Sequence, residues 1–314
     1  MAAANEGLVF DLSGRTKLRI TGADRLRYLN GQISNDLRKA TDANAIHACV
    51  LSAKGKIDAE VFIATEGESF LLDTDPQMAE ALTARLERYL ISDDVQIEDL
   101  TAEFALLHVL GAEASALKAR PLLRSRYGSA NGRRSSATRF GELGTDLWFS
   151  AAEREGALQE LAQTLSVCDE GCAETLRIER GLPRWGRELT GEIIPTEANL
   201  EAGAIDYAKG CYIGQEVISR IKMSGQTNKR LCGFLVVGEG SVVPGMRLYT
   251  ADEARKEVGW LTSVAVSARR GRQIALGFVK RGFQEVGSHL EAYEAEAVSS
   301  SKPIVVEIVT PPFV

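Results

Sequence analysis

The residues best suited to chemistry in this chain are Lys209-Gly210-Cys211-Tyr212-Ile213-Gly214-Gln215-Glu216, followed by Val217-Ile218-Ser219-Arg220. Glycines on both sides of a thiol permit close backbone approach. Gln215 to Ile221 reads as a helix beginning just after the thiol, so Cys211 is expected to face a helix N-terminus. The positive end of that dipole, together with Lys209, favours thiolate over thiol and lowers the pKa below the free value of about 8.5. The pattern points to a reactive cysteine, against the plainer reading of Cys211 as a buried packing residue.

Other chemistries find less support. His47, His108 and His289 are far apart and lack a Cys, Asp or Glu at the spacing of a local zinc motif, so no metal is expected. Cys168 and Cys172 could share a helix face, but two thiols do not complete a site and Cys packs well as a small apolar residue. There is no Walker A string, no G-x-G-x-x-G after a strand and no G-x-S-x-G elbow.

The elements that must position these residues alternate strands with covering helices. Strand-like runs at 8–12 and 17–21 lead into a helical stripe carrying Leu26, Tyr28 and Leu29. AIHACVLS, EVFIAT and FLLDT read as three strands separated by Gly-containing breaks. Pro76 opens an amphipathic helix with Met78, Leu82, Leu86 and Tyr89 on its apolar face. VQIEDL and FALLHVL follow as strands, then a helix from Glu113 to Ala119. Further helices are expected over 153–165 and 173–180, the latter stopped by Gly181 and Pro183. From Lys229 the runs KRLCGFLVV, MRLYTA, VGWLTSVAVS, QIALGFVK and PIVVEIV predict a small terminal β-barrel.

Between these regions, Arg120, Arg124, Arg126, Arg133, Arg134 and Arg139 lie among Gly and Ser with no acid until Glu142. The segment reads as a mobile basic loop, either a solvated excursion or a landing site for a polyanion such as RNA.

The chain has 314 residues, 45% hydrophobic and 25% charged, with a net charge of −6, which suits a soluble globular protein of two or three compact regions. The acidic balance argues against a DNA-coating protein, which needs a concentrated excess of Lys and Arg. Five cysteines are too few for a secreted disulfide scaffold and favour a reducing compartment. No apolar run approaches the ~20 residues that span a bilayer, and the opening MAAANEGLVF lacks a basic region followed by an apolar one. A cytoplasmic protein without membrane partners is expected.

The block KGCYIGQE with Arg220 after it resembles the signature of the YgfZ/GcvT folate-binding family. Upstream, LRIERGLP at 176–183, then Gly186, Glu188, Pro195 and Asn199-Leu200, resembles a second family block. YLNGQISND at 28–36 resembles the first block, and SAKGK at 52–56 the hairpin after it. The resemblance covers nearly the whole chain.

What it implies is an α+β fold: a three-lobed GcvT-like ring of two intertwined α+β lobes and a C-terminal β-barrel. The N-terminal region would span 1–225, with one lobe from 1–45 plus 150–225 and the other from 46–149, and the barrel 226–314. The implied ligand is tetrahydrofolate or a one-carbon-substituted form, whose pterin takes a carboxylate partner; Glu192 lies near that family position. Glu60 matches the position of a catalytic Asp in the aminomethyltransferase branch, one methylene longer here. Lys209 and Gly210 would lie at the ligand, Lys209 facing its glutamate tail. Tyr212 and Trp185 would stack on the pterin, and Arg220 is structural or tail-binding.

The cysteine block belongs to the YgfZ-like branch, implicated in maintaining iron–sulfur enzymes. The implied function is therefore support of iron–sulfur cluster assembly or repair, with Cys211 as the working thiol and cluster-assembly or client proteins as partners. The alternatives are a folate-dependent aminomethyl or methyl transferase using Glu60, and a noncatalytic folate-responsive adaptor. A monomer is expected.

Overall fold

The computed structural model describes residues 7–111, 132–294 and 302–313. They form two compact units, one from the described residues of 1–170 and 202–215, the other from those of 171–201 and 216–314.

The first unit contains two five-stranded sheets. β1 (Leu8–Asp11) and β2 (Thr16–Thr21) are consecutive in the chain yet enter different sheets. β2 lies between β5 (Ser69–Thr74) and β6 (Gln96–Asp99), beside the meander that starts at β3 (Ile46–Leu51) and β4 (Ile57–Glu66). β1 lies between β7 (Phe104–Leu110) and β10 (Ser166–Cys168), with β9 (Leu143–Ser150) and β8 (Arg133–Thr138) beyond. Val9, Leu107, Val109, Leu147 and Phe149 form the core under this second sheet, closed by Ala157 and Leu161 of α3 (Arg154–Leu161). Helix α1 (Arg25–Gln32) precedes the β3–β4 hairpin, and α2 (Ala79–Glu87) buries Leu82 and Leu86 after a one-turn entry at Pro76–Met78.

A buried charge cluster ties the two sheets together. Arg139, after β8, donates to Asp73 of β5 and to Asp146 of β9, and all three are almost fully buried. His108 Nδ1 lies 2.8 Å from Asp146 Oδ1. Burial alone would raise the Asp146 pKa; the Arg139 guanidinium and the His108 ring outweigh it and bring the carboxyl down to about 2.

The second unit is a closed six-stranded barrel in the order β11-β14-β13-β12-β15-β16, where β11 is Lys229–Val236, β12 Arg247–Thr250, β13 Glu257–Ser267, β14 Arg272–Lys280, β15 His289–Tyr293 and β16 Ile304–Val309. Closure removes the exposed strand edges that an open sheet would present. Phe234, Leu248, Val258, Val279, Val306 and Ile308 fill its interior. The residues of α4 (Glu170–Glu179) from Gly171 on, and the irregular segment after it, pack on the barrel through Glu188, whose carboxylate is 0% exposed. It accepts from Arg177 Nη1 at 3.0 Å, Arg184 N at 3.1 Å, and the Thr262 and Ser263 hydroxyls at 2.6 Å each. Four donors on one buried carboxylate explain how a charged residue is accommodated there.

Several expectations change. Residues 171–201 and 216–224 cluster with the barrel, where Arg177 donates to Ser263 and Glu188 accepts from Thr262 and Ser263. The expected barrel strands are present, with HLEAY added as β15. The basic segment is not wholly a loop: Arg133 and Arg134 lie in β8 and Arg139 is a buried clamp. Arg120, Arg124, Arg126 and the helix expected over 113–119 lie outside the described residues. Cys168 and Cys172, read as packed thiols, are disulfide-bonded; one ends β10 and the other lies in the first turn of α4, so they do not share a helix face.

Candidate functional site

In the first unit the cysteine block sits on the Asn30–Asp36 block and on the β3–β4 hairpin. Lys209 is 5% exposed, and its ammonium donates to the carbonyls of Asn30 at 2.7 Å, Ile33 at 2.7 Å and Asn35 at 2.8 Å. An ammonium has three donors, so all are used inside the protein. Burial lowers its pKa to about 8. Around it, Ser34 Oγ donates to Ala204 O at 2.6 Å and accepts from Cys49 N at 2.8 Å. Asp206 N donates to Ser34 O at 3.0 Å and Ile213 N to Gly31 O at 3.1 Å. Two segments some 170 residues apart are thereby stitched into one base, as the separations of these bonds record.

The two glycines beside the thiol differ. Gly214 has φ +85°, and a Cβ there would lie 2.6 Å from Ser52 O and 3.1 Å from Leu51 Cβ. This is the close approach expected from the sequence, made onto the hairpin. A Cβ on Gly210 would meet nothing within 4 Å. Tyr212 is buried with the Lys209 ammonium 5.0 Å from its ring centroid, and burial pushes its hydroxyl up to about 12. Cys211 projects from this base as an exposed, free thiol. Helix α5 (Gln215–Ser224) begins four residues later, so the thiol is not at the helix cap itself.

Glu60 lies on β4 of the same hairpin system. Register pairs Cys49 with Glu60 and His47 with Phe62, which puts His47 and Glu60 on a diagonal of one sheet face. His47 Nε2 is 2.7 Å from Glu60 Oε1, with the two side chains 16% and 18% exposed. The His47 ring stacks on Phe62 at 4.6 Å, and the Arg139 guanidinium covers Phe62 at 4.2 Å. Burial alone would raise the Glu60 pKa; His47, then Arg15 and Arg139, outweigh it and hold the carboxyl below its ordinary value. The result is an ionised acceptor beside an aromatic face.

The other expected site residues lie in the second unit. Glu192 is exposed, with its backbone N–H on Thr190 Oγ1 at 3.2 Å. Trp185 is half-buried and bridges to Leu189. Arg220 is exposed on α5 and donates to Glu216 at 2.7 Å, a surface i,i+4 pair. His47 and Arg139 were missed as site residues. The hairpin register, read outward from Lys54-Gly55-Lys56, is the signal that could have placed His47 beside Glu60. No group of three or more His, Cys, Asp or Glu is placed to hold a metal ion among the described residues.

Two family domain models match the chain: the GCVT N-terminal domain over residues 1–209 and the glycine cleavage T-protein C-terminal barrel domain over 229–314. The chain belongs to the YgfZ/GcvT folate-binding family. Among its relatives is the "tRNA-modifying protein YgfZ" of Escherichia coli O157:H7, 31% identical over 72% of this chain and 70% of the relative. An aminomethyltransferase of Rubrobacter xylanophilus is 28% identical over 86% of this chain and 75% of its own length. The solved glycine cleavage system aminomethyltransferase T from Bartonella henselae has the same fold, with a TM-score of 0.85, 17% identity and coverage of 99% of this chain and 87% of that one. The α+β architecture with a terminal barrel is thus that of the YgfZ/GcvT family. No helix among the described residues is long and apolar enough to cross a membrane.

Proposed function

We propose that this protein binds tetrahydrofolate or a one-carbon-substituted form and supports assembly or repair of iron–sulfur clusters in client enzymes, with Cys211 as its working thiol. The observation that carries this reading is an exposed cysteine on a base fixed by three bonds from one buried ammonium. A thiol held on rigid backbone loses little freedom when it engages a partner. One thiolate supplies one ligand of the four a cluster usually takes, so the client or an assembly protein supplies the others. The YgfZ relatives are named tRNA-modifying proteins, which makes tRNA modification a process that the clients of this protein would serve.

The residues present suit a folate. A pterin offers amino and ring N–H donors, and Glu60 is an ionised acceptor set beside an aromatic ring. Bound folate would supply a carrier for one-carbon units. Glu60 would orient it and His47 would hold the Glu60 carboxylate in place. Lys209, whose donors are all engaged, serves as the clamp beneath the thiol and not as a partner for the glutamate tail.

The Glu60–His47 pair also favours a second reading, a folate-dependent aminomethyl or methyl transferase. Titration of the protein with tetrahydrofolate by calorimetry tests the ligand: saturable heat that is weakened in Glu60→Gln supports it. Absence of heat with the wild type would contradict folate binding and leave only an adaptor that does not respond to folate. Donor turnover abolished by Glu60→Gln and retained in Cys211→Ala would establish the transferase.

A further inference from the structure

The second unit contains a small polar hollow of about 200 Å³ lined by Thr196, Glu201, Ile221, Lys222, Gly225, Thr227 and Arg230. At about 30 Å³ per water it holds on the order of six or seven waters, enough for one small group and too little for a pterin with its tail.

Three features of the lining bear on what that group is. Thr196 is 2% exposed, and its Oγ1 has no hydrogen-bond partner in the protein. A buried hydroxyl without a partner is costly, so a polar occupant that accepts or donates there is favoured. Arg230 is held in place from one side: its Nε donates to Asn199 Oδ1 at 2.9 Å, and Asn199 Nδ2 donates to Leu231 O at 2.9 Å. Asn199 itself has φ +60°. Charge is the third feature. Arg230 and Lys222 line the hollow against a single acid in the lining, Glu201, and Lys222 in the last turn of α5 offsets the negative end of that helix.

We infer that this hollow is a binding site for a phosphate group, held by the Thr196 and Thr227 hydroxyls and by Arg230, with Lys222 adding charge. A phosphate offers oxygens in several directions, which suits donors that come from a loop, a helix end and a strand. The phosphate arrives either as the free ion or as the terminal group of an organic phosphomonoester. This inference stands on the second unit alone and does not depend on the folate or iron–sulfur readings.

The test is titration of the full-length protein with inorganic phosphate and, separately, with glycerol phosphate, at constant ionic strength against chloride. Binding is read by calorimetry and by broadening of the phosphorus NMR line. The site predicts saturable binding in the wild type, weakened at least tenfold in Thr196→Val and in Arg230→Gln, and unchanged in Lys302→Gln, a surface control on the barrel. Binding of both ligands identifies a phosphomonoester site, and binding of inorganic phosphate alone a free-ion site. Thr196→Val keeps the shape of the side chain, and a folded baseline by circular dichroism makes its loss of binding interpretable. No binding at millimolar phosphate, or equal binding by wild type and Thr196→Val, would overturn the proposal and leave the hollow as a water site.

Discussion

The ammonium of Lys209 sits 2.7 Å from the carbonyl oxygen of Ile33, and the Asn30 and Asn35 carbonyls complete its set of acceptors. One side chain therefore closes the turn after α1 and carries the Cys211 loop on top of it. The family block around the cysteine and the block near the N-terminus are two halves of one structural object.

Lys209→Met should accordingly loosen the loop as well as the fold. It leaves the buried Ile33 carbonyl and the partly buried Asn30 and Asn35 carbonyls without their charged donor, a loss offset in part because the burial cost of the ammonium disappears with it. We expect a loss of about 3 kcal/mol in urea unfolding and faster amide exchange over residues 205–214. A loss under about 1 kcal/mol with unchanged exchange would contradict the clamp.

The glycines flanking the thiol should respond unequally. Gly214→Ala places a Cβ against Ser52 O in a left-handed backbone, and should destabilise by about 1–3 kcal/mol. Gly210→Ala meets open space and should cost less than about 1 kcal/mol. Thermal unfolding of the two variants side by side decides the point; equal shifts would show that the hairpin contact is not what Gly214 is for.

Arg139→Met removes the guanidinium shared by the buried Asp73 and Asp146, leaving Asp73 with Arg15 and Asp146 with the His108 ring alone, which should cost about 3–5 kcal/mol. The same cluster sets an acid limb of stability. The Asp146 carboxyl is lowered from 3.8 to about 2 in the folded protein, so its contribution is present above the unfolded value and is lost as pH falls through 3.8 toward 2. Denaturant midpoints measured from pH 5 to pH 2 should fall more steeply for the wild type than for Asp146→Asn. Parallel curves would remove Asp146 from the acid limb.

Much of this was legible in the sequence. Short apolar runs and alternation between Gly-containing breaks located β3, β4, β5 and the barrel strands; β5 is buried along its whole length and so reads as a continuous apolar run. Alternation does not name partners, so it could not show that β1 and β2 part into different sheets. HLEAY escaped because only Leu290, Ala292 and Tyr293 of its five residues are buried. Arg139 looked like a surface charge since its two aspartates come from Asp73 and Asp146, and only the fold brings Asp73 near. For the site, KGCYIGQE marked the thiol loop, yet the sequence gives no sign that Lys209 turns inward. Inward burial of a lysine depends on three carbonyls 174 to 179 residues away.

The most direct test of the central claim is rescue of iron–sulfur enzyme activity in cells lacking this protein, comparing wild type, Cys211→Ala and Glu60→Gln at equal protein level. The account predicts that wild type restores activity and Cys211→Ala does not, although Cys211→Ala folds as stably because the side chain is exposed. Full restoration by Cys211→Ala would contradict it.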